Sequence, residues 1–313
     1  MTLDALAVVL EQPKRIALST LAISEPTAED VVVEVAFSGV STGTERLLWT
    51  GEMPPFPGMG YPLVPGYESI GRVVHAGANS GRSEGDWVFV PGANCYGEVR
   101  GLFGGSASRV TLPGARVTPV DENLGEKGVL LALAATAYHA MAPGHPVPDL
   151  IIGHGALGRL LARIAVASGH PAPTVWEINP ARMAGADGYE VVRPDDDPRR
   201  DYTAIYDVSG DSSLLDSLVM RLKKGGEIVL AGFYAERLSF DFAPAFMKEA
   251  RLRTAAEFTP SDVAGVNDLL ASGALSLDGL ITHHSAPQDA GEAYHTAFSD
   301  AGCLKMILDW RPS

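Results

Sequence analysis

The chain has 313 residues, enough for two domains, and its 46% hydrophobic and 20% charged residues are typical of a globular protein with a large core. A formal net charge of −14 repels phosphate backbones and anionic lipids, so nucleic acids and membrane surfaces are disfavoured as partners. The two cysteines, Cys95 and Cys303, are too few for a disulfide framework and suit a reducing cytoplasm. The longest apolar run, near Val129–Ala142, is too short for a transmembrane segment.

Up to residue 122, short β-rich runs alternate with Gly/Pro turns, a spacing that predicts a small barrel or sandwich. The loop Met53–Glu68 contains five prolines, which predicts a stiff, non-helical segment. The predicted strands are Val31–Phe37, Ser69–His75, Asp86–Val90 and Arg109–Leu112.

After residue 122 the pattern changes to strand, turn and helix, which predicts a parallel sheet with crossover helices. The first such unit is a strand at Leu150–Gly153 followed by a helix at Ala156–Ser168, and Asn179-Pro180 is typical of the start of the next helix. Further buried strands are predicted at Thr174–Ile178, Glu190–Val192, Ala204–Val208 and Glu227–Gly232.

The last stretch begins with Thr259-Pro260-Ser261-Asp262, a pattern that favours a helix N-terminus, and Gly273 ends this helix. Leu304–Trp310 alternates like a strand and is predicted to pack back onto the N-terminal domain. The predicted domains are therefore 1–122 with 258–313, and 123–257.

A glycine turn lies between the predicted strand and helix, and it predicts a dinucleotide site. Gly153 allows the tight turn, Gly155 lets the backbone approach a pyrophosphate, and Gly158 lets helix and strand pack closely. The helix N-terminus would hold the anion through its N–H groups. The alternative is a glycine turn in a domain that binds no ligand. The predicted cofactor-binding residues of the turn are Gly153, His154, Gly155, Ala156, Leu157 and Gly158.

Glu177 ends the next strand, 19 positions after Gly158, where a carboxylate would accept hydrogen bonds from the adenosine ribose. Its charge would repel a 2′-phosphate and favour NAD over NADP, while the nearby Arg182 would weaken that preference. The alternative for Glu177 is a solvated strand end. Ser209-Gly210 and Gly232 end later strands and are predicted to face the nicotinamide.

The order of a β domain, a dinucleotide unit and a β tail resembles the medium-chain dehydrogenase/reductase family over nearly the whole chain. The resemblance implies an α/β plus β fold: a GroES-like β-barrel catalytic domain, an inserted Rossmann domain with a doubly wound parallel sheet, and a cleft between them. It also implies a homodimer through edge strands. Matching segments are Ser38-Gly39-Val40-Ser41, Val64-Pro65-Gly66-Tyr67-Glu68, Gly85-Asp86-Trp87-Val88, Leu130–His139 and Ile281-Thr282-His283.

Many members of this family hold a catalytic zinc, and the matching positions here are Ser41, Tyr67 and Ala132. Neither hydroxyl is a usual zinc ligand and alanine cannot coordinate a metal, so we predict no metal. The hydroxyl that relays protons in many zinc members maps to Gly43. His283 and His284 are neighbours in a predicted strand, so their side chains diverge and form no substitute site.

Long strings of sequence resemble a group within the family that acts in bacteriochlorophyll synthesis. The resemblance implies NAD-dependent oxidation of the C3 1-hydroxyethyl group of a (bacterio)chlorophyllide, a tetrapyrrole, to acetyl. Two alternatives are a zinc-free NADPH-dependent enone or quinone reductase and a non-catalytic dinucleotide-binding sensor. The strings include LIIGHGALGRLLARIAVASG, TVWEINPAR, FAPAFMKEARLR and CLKMILDW.

Without zinc, alcohol oxidation needs a positioned base or a hydrogen-bond chain. Our hypothesis is that Tyr67 and Glu68 carry the proton step, with Ser41 or Thr44 as partners. Alternatively, Tyr67 fills the space left by zinc and Glu68 only holds backbone groups. His139 is typical of a core histidine. The loop Met53–Tyr67, with Phe56, Met59 and Tyr61, is a candidate wall of the substrate cleft.

Overall fold

The computed structural model describes residues 3–55, 57–255 and 257–312, so Phe56 lies outside the described residues. The chain divides into two compact units: Met1–Ala132 with Leu280–Ser313, and Leu133–Gly279. We call these the first and second unit. Their bounds by packing differ from the predicted domain bounds, which lay at 122/123 and 257/258.

Both units combine β-strands with α-helices and short 3-10 helices. The strands are β1 (Asp4–Gln12), β2 (Arg15–Ala22), β3 (Asp30–Val40), β4 (Leu63–Val64), β5 (Ser69–Ala76), β6 (Trp87–Val90), β7 (Arg100–Gly101), β8 (Arg109–Pro113), β9 (Thr118–Pro119), β10 (Leu150–Ile152), β11 (Thr174–Trp176), β12 (Glu190–Val192), β13 (Tyr202–Asp207), β14 (Leu222–Leu230), β15 (Arg251–Thr254), β16 (His283–Ser285) and β17 (Met306–Asp309). The α-helices are α1 (Thr44–Thr50), α2 (Leu131–Ala140), α3 (Ala156–Ala167), α4 (Leu215–Arg221), α5 (Phe242–Lys248), α6 (Pro260–Ala271) and α7 (Ala290–Ser299). The 3-10 helices lie at Gly114–Arg116, Glu122–Leu130, Pro180–Arg182, Ser212–Leu214 and Pro287–Asp289.

The first unit is built on two sheets. One runs β16-β17-β3-β5-β6-β9 with β8 paired to β3, and the other runs β2-β1-β4-β7. Alternating apolar residues of β3, β5, β6 and β8 form its main core, including Val33, Val73, Val88 and Val110. The C-terminal strand β17 pairs antiparallel with β3, Ile307 opposite Gly39. The predicted return of the tail to the N-terminal β domain is therefore confirmed.

The second unit contains a parallel sheet in the order β12-β11-β10-β13-β14-β15. The strand order reverses between β10 and β13, the arrangement of a doubly wound Rossmann sheet. Helix α3 buries Leu160, Leu161 and Ile164 completely, which matches the predicted apolar face. The predicted fold class is confirmed.

Two predictions for the second unit need correction. The helix expected after Asn179 is only a 3-10 turn, because the chain beyond it takes positive φ angles at Gly185 (+88°) and Gly188 (+77°), which a helix does not contain. Helix α6 begins with the predicted Thr259/Asp262 capping box, yet it belongs to the second unit and not to the first.

The Asp262 carboxylate also lies 3.0 Å from His139 Nδ1. His139 is therefore a partner of a helix cap rather than a residue packed only among apolar side chains. Along the described part of the chain, no helix is both long and apolar enough to cross a membrane.

Candidate functional site

The glycine turn has the backbone geometry that a dinucleotide requires. Gly153 has φ +102°, and a Cβ on Gly158 would lie 1.9 Å from the Gly153 carbonyl oxygen, so both positions exclude larger residues. A Cβ on Gly155 would meet only Arg182 Nη1, at 3.9 Å, which leaves open space above the turn. Helix α3 starts directly after Gly155, and no side chain caps it. The turn therefore fits a pyrophosphate at an uncapped helix N-terminus.

Glu177 is held against this turn and is not a solvated strand end. One carboxylate oxygen accepts the His154 N–H at 3.0 Å, and the other accepts the N–H groups of Ile178 (2.8 Å) and Asn179 (2.7 Å). Its side chain is buried. A carboxylate has about four acceptor positions, so three bonds leave room for one more donor such as a ribose hydroxyl.

The other predicted cofactor residues lie at the same sheet edge as the glycine turn. A Cβ on Gly153 would be 3.7 Å from the Ser209 backbone, and a Cβ on Gly232 would be 3.3 Å from Gly210 N. The Ser209 hydroxyl and N–H both donate to Asp207, at 2.6 and 2.9 Å. Because β10, β13 and β14 are adjacent parallel strands, their carboxyl ends form one continuous edge.

His154 and Arg159 fix the segment that follows the 3-10 turn. His154 Nδ1 donates to the Arg182 carbonyl at 2.6 Å, so Nε2 accepts from the Tyr189 hydroxyl at 2.7 Å. Burial, and then the Arg159 charge, lower the pKa of His154 to about 4, so its ring is neutral at neutral pH. Arg159 is buried and donates to the carbonyls of His154, Arg182, Ala184 and Gly185.

In the first unit, Ser41 and Tyr67 are joined directly. Their hydroxyl oxygens lie 2.7 Å apart, and Tyr67 packs edge-on against Phe103 with ring centroids 5.4 Å apart. Burial and the nearby Glu68 charge raise the pKa of Tyr67, while hydrogen bonds from Ser41 and Thr44 oppose this shift. The structure thus brings together three of the four predicted catalytic residues as a hydroxyl cluster. Its tyrosine is a phenol, not a phenolate, at neutral pH.

Glu68, the fourth residue, forms a buried ion pair. One oxygen accepts from Lys305 Nζ, and the other, Oε1, is buried with no hydrogen-bond partner among the described residues. Both side chains are at most 1% exposed. A Cβ on Gly39 would lie 2.5 Å from Glu68 Oε2, so glycine there makes room for the pair. Glu68 was considered as a carboxylate that only holds backbone groups, but its partner in the structure is the Lys305 side chain.

Glu45 is a further buried carboxylate beside this cluster, and it was not among the predicted site residues. Glu45 Oε1 accepts the Ser41 N–H at 3.0 Å, and Oε2 accepts the Tyr294 hydroxyl at 2.7 Å. Burial raises the pKa of Glu45 to about 7, with the Glu68 charge acting in the same direction. The sequence carries no clear signal of this burial, because Glu45 stands between Thr44 and Arg46 in a polar run.

The loop considered as a substrate wall is anchored to the first unit. Met59 and Tyr61 pack against the core cluster that contains Leu10, Leu48 and Leu63, and the Tyr61 hydroxyl donates to the Leu48 carbonyl. Packing alone accounts for both side chains.

The positions matching the zinc ligands of the family do not fit a metal. Ser41 and Tyr67 bond each other, and Ala132 is fully buried with a methyl side chain that cannot coordinate a metal. Among the described residues, no three His, Cys, Asp or Glu side chains gather as a metal site would require. His283 contacts Asp300 and His284 contacts Glu126, so these two rings point to different partners.

Comparisons with known proteins agree with this architecture. Residues 27–122 match the family model for the alcohol dehydrogenase GroES-like domain. The chain is 57% identical over 311 residues, 99% of each chain, to 2-desacetyl-2-hydroxyethyl bacteriochlorophyllide A dehydrogenase of Rhodobacter capsulatus. The chain belongs to the medium-chain dehydrogenase/reductase family. The same-named protein of Cereibacter sphaeroides is 58% identical and covers 97% of this chain and 98% of its own.

Within the family, this chain is an oxidoreductase of the alcohol dehydrogenase class, which confirms the predicted enzyme type. A solved structure with a similar fold, acetophenone reductase from Geotrichum candidum in complex with NAD, has a TM-score of 0.82 and covers 98% of this chain and 97% of its own. Its sequence identity of 21% makes it evidence of the shared fold alone.

Proposed function

We propose that the protein oxidises the C3 1-hydroxyethyl group of a (bacterio)chlorophyllide a to an acetyl group with NAD+. The observation that carries this proposal is the near-complete similarity, at 57–58% identity, to two dehydrogenases named for a hydroxyethyl bacteriochlorophyllide. In the balanced reaction, the secondary alcohol loses a hydride from carbon and a proton from oxygen. NADH and a ketone are formed.

The second unit would hold the dinucleotide, whose nicotinamide accepts the hydride when bound. The Gly153–Gly158 turn and the N-terminus of α3 would bind the pyrophosphate, and Glu177 would accept a ribose hydroxyl. A buried carboxylate repels a 2′-phosphate, which favours NAD over NADP. Arg182, with Nη1 close to Gly155, would contribute positive charge beside the bound anion.

The first unit would take the proton through Ser41 and Tyr67. Because its pKa is raised, Tyr67 does not act as a tyrosinate base. A hydroxyl pair 2.7 Å apart can instead relay the proton: one oxygen accepts the proton of the alcohol while the other passes its own proton to solvent water, so the pair stays neutral. Thr44 supports Tyr67, and Glu68 is a neighbouring negative charge rather than the first acceptor, because it is completely buried against Lys305.

The chemistry is proposed to need no zinc, since the matching positions offer two hydroxyls and a methyl group. The decisive experiment combines purified protein, NAD+ and the 3-(1-hydroxyethyl) bacteriochlorophyllide, and follows NADH and the 3-acetyl product. We expect turnover that EDTA does not reduce and at least about tenfold weaker binding of NADP+, equal to about 1.4 kcal/mol. No acetyl product would contradict the substrate, and NADPH-dependent enone reduction would favour the alternative reductase.

We also propose a homodimer through β15. This strand pairs with β14 on one side only within the described residues, and an open strand edge is a ready surface for a second copy. Beside it, α5 exposes Phe242 (72%) and Phe246 (66%) around a surface groove of about 430 Å³. Light scattering should give a dimer for the wild type and a monomer for Phe246→Glu. Val74→Glu, an exposed position in the first unit, should remain dimeric.

A cytoplasmic location is part of this proposal, because both cysteines are buried and form no disulfide.

A further inference from the structure

The carboxylate of Glu45 joins the hydroxyl pair to the interior of the first unit. The turn before α1 is tied in both directions: the Ser41 N–H donates to Glu45 Oε1 at 3.0 Å, and the Glu45 N–H donates to the Ser41 carbonyl at 3.2 Å. On the opposite side, the Ser41 hydroxyl meets Tyr67 at 2.7 Å. The position of Ser41, and with it that of Tyr67, therefore depends on the Glu45 side chain.

Among the described residues, several elements contribute the groups that act on the Glu45 carboxylate. Helix α7 contributes Tyr294, whose hydroxyl bonds Glu45 Oε2 at 2.7 Å and lies 3.3 Å from Ser106 Oγ. The segment after β4 contributes Glu68, and the residue before β17 contributes Lys305. Tyr67 is a further titratable neighbour within the part of the chain that the structure describes.

The charges of this cluster do not balance when every group is ionised. Two buried carboxylates would share a single ammonium, and Lys305 bonds Glu68. An uncompensated charge in the interior is costly, so one carboxyl group takes up a proton more easily than it would in water. Glu45 is that group, because burial raises its pKa to about 7 and Lys305 opposes the shift only weakly.

We infer that Glu45 is a positioning residue that holds the Ser41 turn and, through the charge on its carboxylate, sets how readily the Ser41–Tyr67 pair takes the proton of the substrate alcohol. This inference rests on the proposed function, since it assigns that pair to the proton step. The ionised form places a negative charge beside the pair and favours proton uptake. The protonated form keeps the turn in place but removes that charge.

The test is the pH dependence of kcat for oxidation of the hydroxyethyl substrate. In the wild type we expect kcat to rise about tenfold as pH increases through 7. Glu45→Gln keeps an oxygen acceptor for the Ser41 N–H but is always neutral, so its kcat should stay near the low-pH value. Tyr294→Phe removes a bond to the carboxylate that lowers its pKa, so the midpoint should move to higher pH.

Glu292→Gln is the matched control, because Glu292 is exposed on the same helix as Tyr294, and its profile should equal that of the wild type. Affinity for NAD+ should be unchanged in all variants, since the glycine turn belongs to the second unit. A Glu45→Gln profile that still rises through pH 7, or a midpoint that Tyr294→Phe leaves in place, would overturn the inference.

Infrared difference spectroscopy separates this inference from the proposed function. A protonated-carboxyl band that disappears near pH 7 in the wild type and is missing in Glu45→Gln supports the assignment without any turnover. Its absence from the wild type at every pH overturns it. A wild type without turnover overturns only the proposed substrate, whereas turnover with unaltered pH profiles overturns only the role of Glu45.

Discussion

In the second unit, the predicted ligand site is made largely of backbone. Gly153 and Gly158 shape the turn because they lack a side chain, and Glu177 accepts hydrogen bonds from three main-chain N–H groups. In the first unit, the corresponding cluster is made of side chains: the Ser41–Tyr67 hydroxyl pair and the buried carboxylate of Glu45. A site made of backbone would bind the pyrophosphate that all dinucleotides share, whereas a side-chain cluster can change for one reaction without changes to the sheet.

The difference also determines how much each site reveals in its sequence. A glycine turn between a strand and a helix is contiguous, and its spacing predicts its geometry. The Glu45–Tyr294 bond joins residues 249 positions apart, and Glu68–Lys305 joins residues 237 positions apart. The sequence indicates such pairs at most indirectly, through a charged residue among apolar ones. Lys305 in CLKMILDW is an example: the alternation places it on the same face as Asp309, where lysine is usually solvated, yet in the structure it is buried against Glu68.

The same reasoning explains why the helix predicted after Asn179 in the second unit is wrong. The pattern of Asn179-Pro180 predicts a helix start, and Asn179 does cap a turn by accepting the Ala181 N–H. The chain beyond that turn is held by Arg159, which lies outside the local window and bonds four carbonyls. Arginine on a helix is usually solvated, so a buried one could not be recognised from periodicity.

The largest expected effect tests whether the hydroxyl pair performs the proton step. Tyr67→Phe should lower kcat by about 10²–10⁴-fold, the usual range for losing a proton-transfer group, with the dissociation constant of NAD+ unchanged. Steady-state kinetics and a separate NAD+ titration measure the two quantities. Tyr206→Phe is the control, because its hydroxyl bonds the carbonyls of Ala140 and Pro146 and the Arg253 side chain, and none of the residues of the hydroxyl pair. A Tyr67→Phe enzyme with full turnover would leave the side-chain cluster without a catalytic role.

The next largest effect is expected from a substitution that disrupts the glycine turn Gly153–Gly158. In Gly158→Ala the added Cβ would lie 1.9 Å from the Gly153 carbonyl oxygen, so strand and helix must separate. We expect NAD+ affinity to fall at least about 100-fold, close to 2.7 kcal/mol. Gly291→Ala offers the comparison, since nothing lies within 4 Å of a Cβ there. Equal NAD+ affinities in the two variants, measured by calorimetry, would show that close packing at Gly158 is not required.

A smaller effect is expected when the charge of Glu177 is removed while the shape of the turn is kept. Glu177→Gln is nearly isosteric but neutral, and its amide N–H₂ cannot accept the main-chain N–H groups that one carboxylate oxygen now accepts. NAD+ binding should weaken about tenfold, about 1.4 kcal/mol, and the preference over NADP+ should shrink. Glu190→Gln, an exposed carboxylate at the edge strand β12, should change neither affinity. An unchanged ratio of NAD+ to NADP+ affinity would mean that discrimination arises elsewhere.

The smallest expected effect concerns the side chains that support the glycine turn. It is a change in the free energy of unfolding whose size depends on pH. His154 has its pKa lowered to about 4, so the stability gained by burying a neutral ring is fully present above its unfolded pKa of 6.5 and is lost as pH falls towards 4. Tyr189→Phe removes the donor to Nε2 and should cost about 1 kcal/mol of unfolding free energy at neutral pH. With its lone pair released, Nε2 takes up a proton more easily, so the pKa of folded His154 moves back towards 6.5. The difference in unfolding free energy between the wild type and Tyr189→Phe should therefore narrow as pH falls from about 7 to about 4.5. Urea unfolding at each pH measures this difference. In Tyr206→Phe, which loses bonds to the Ala140 and Pro146 carbonyls and to Arg253 but none to a histidine, the difference in unfolding free energy should stay constant. A difference for Tyr189→Phe that is equally constant would mean that His154 does not titrate in this range and that the second unit draws its acid sensitivity from other groups.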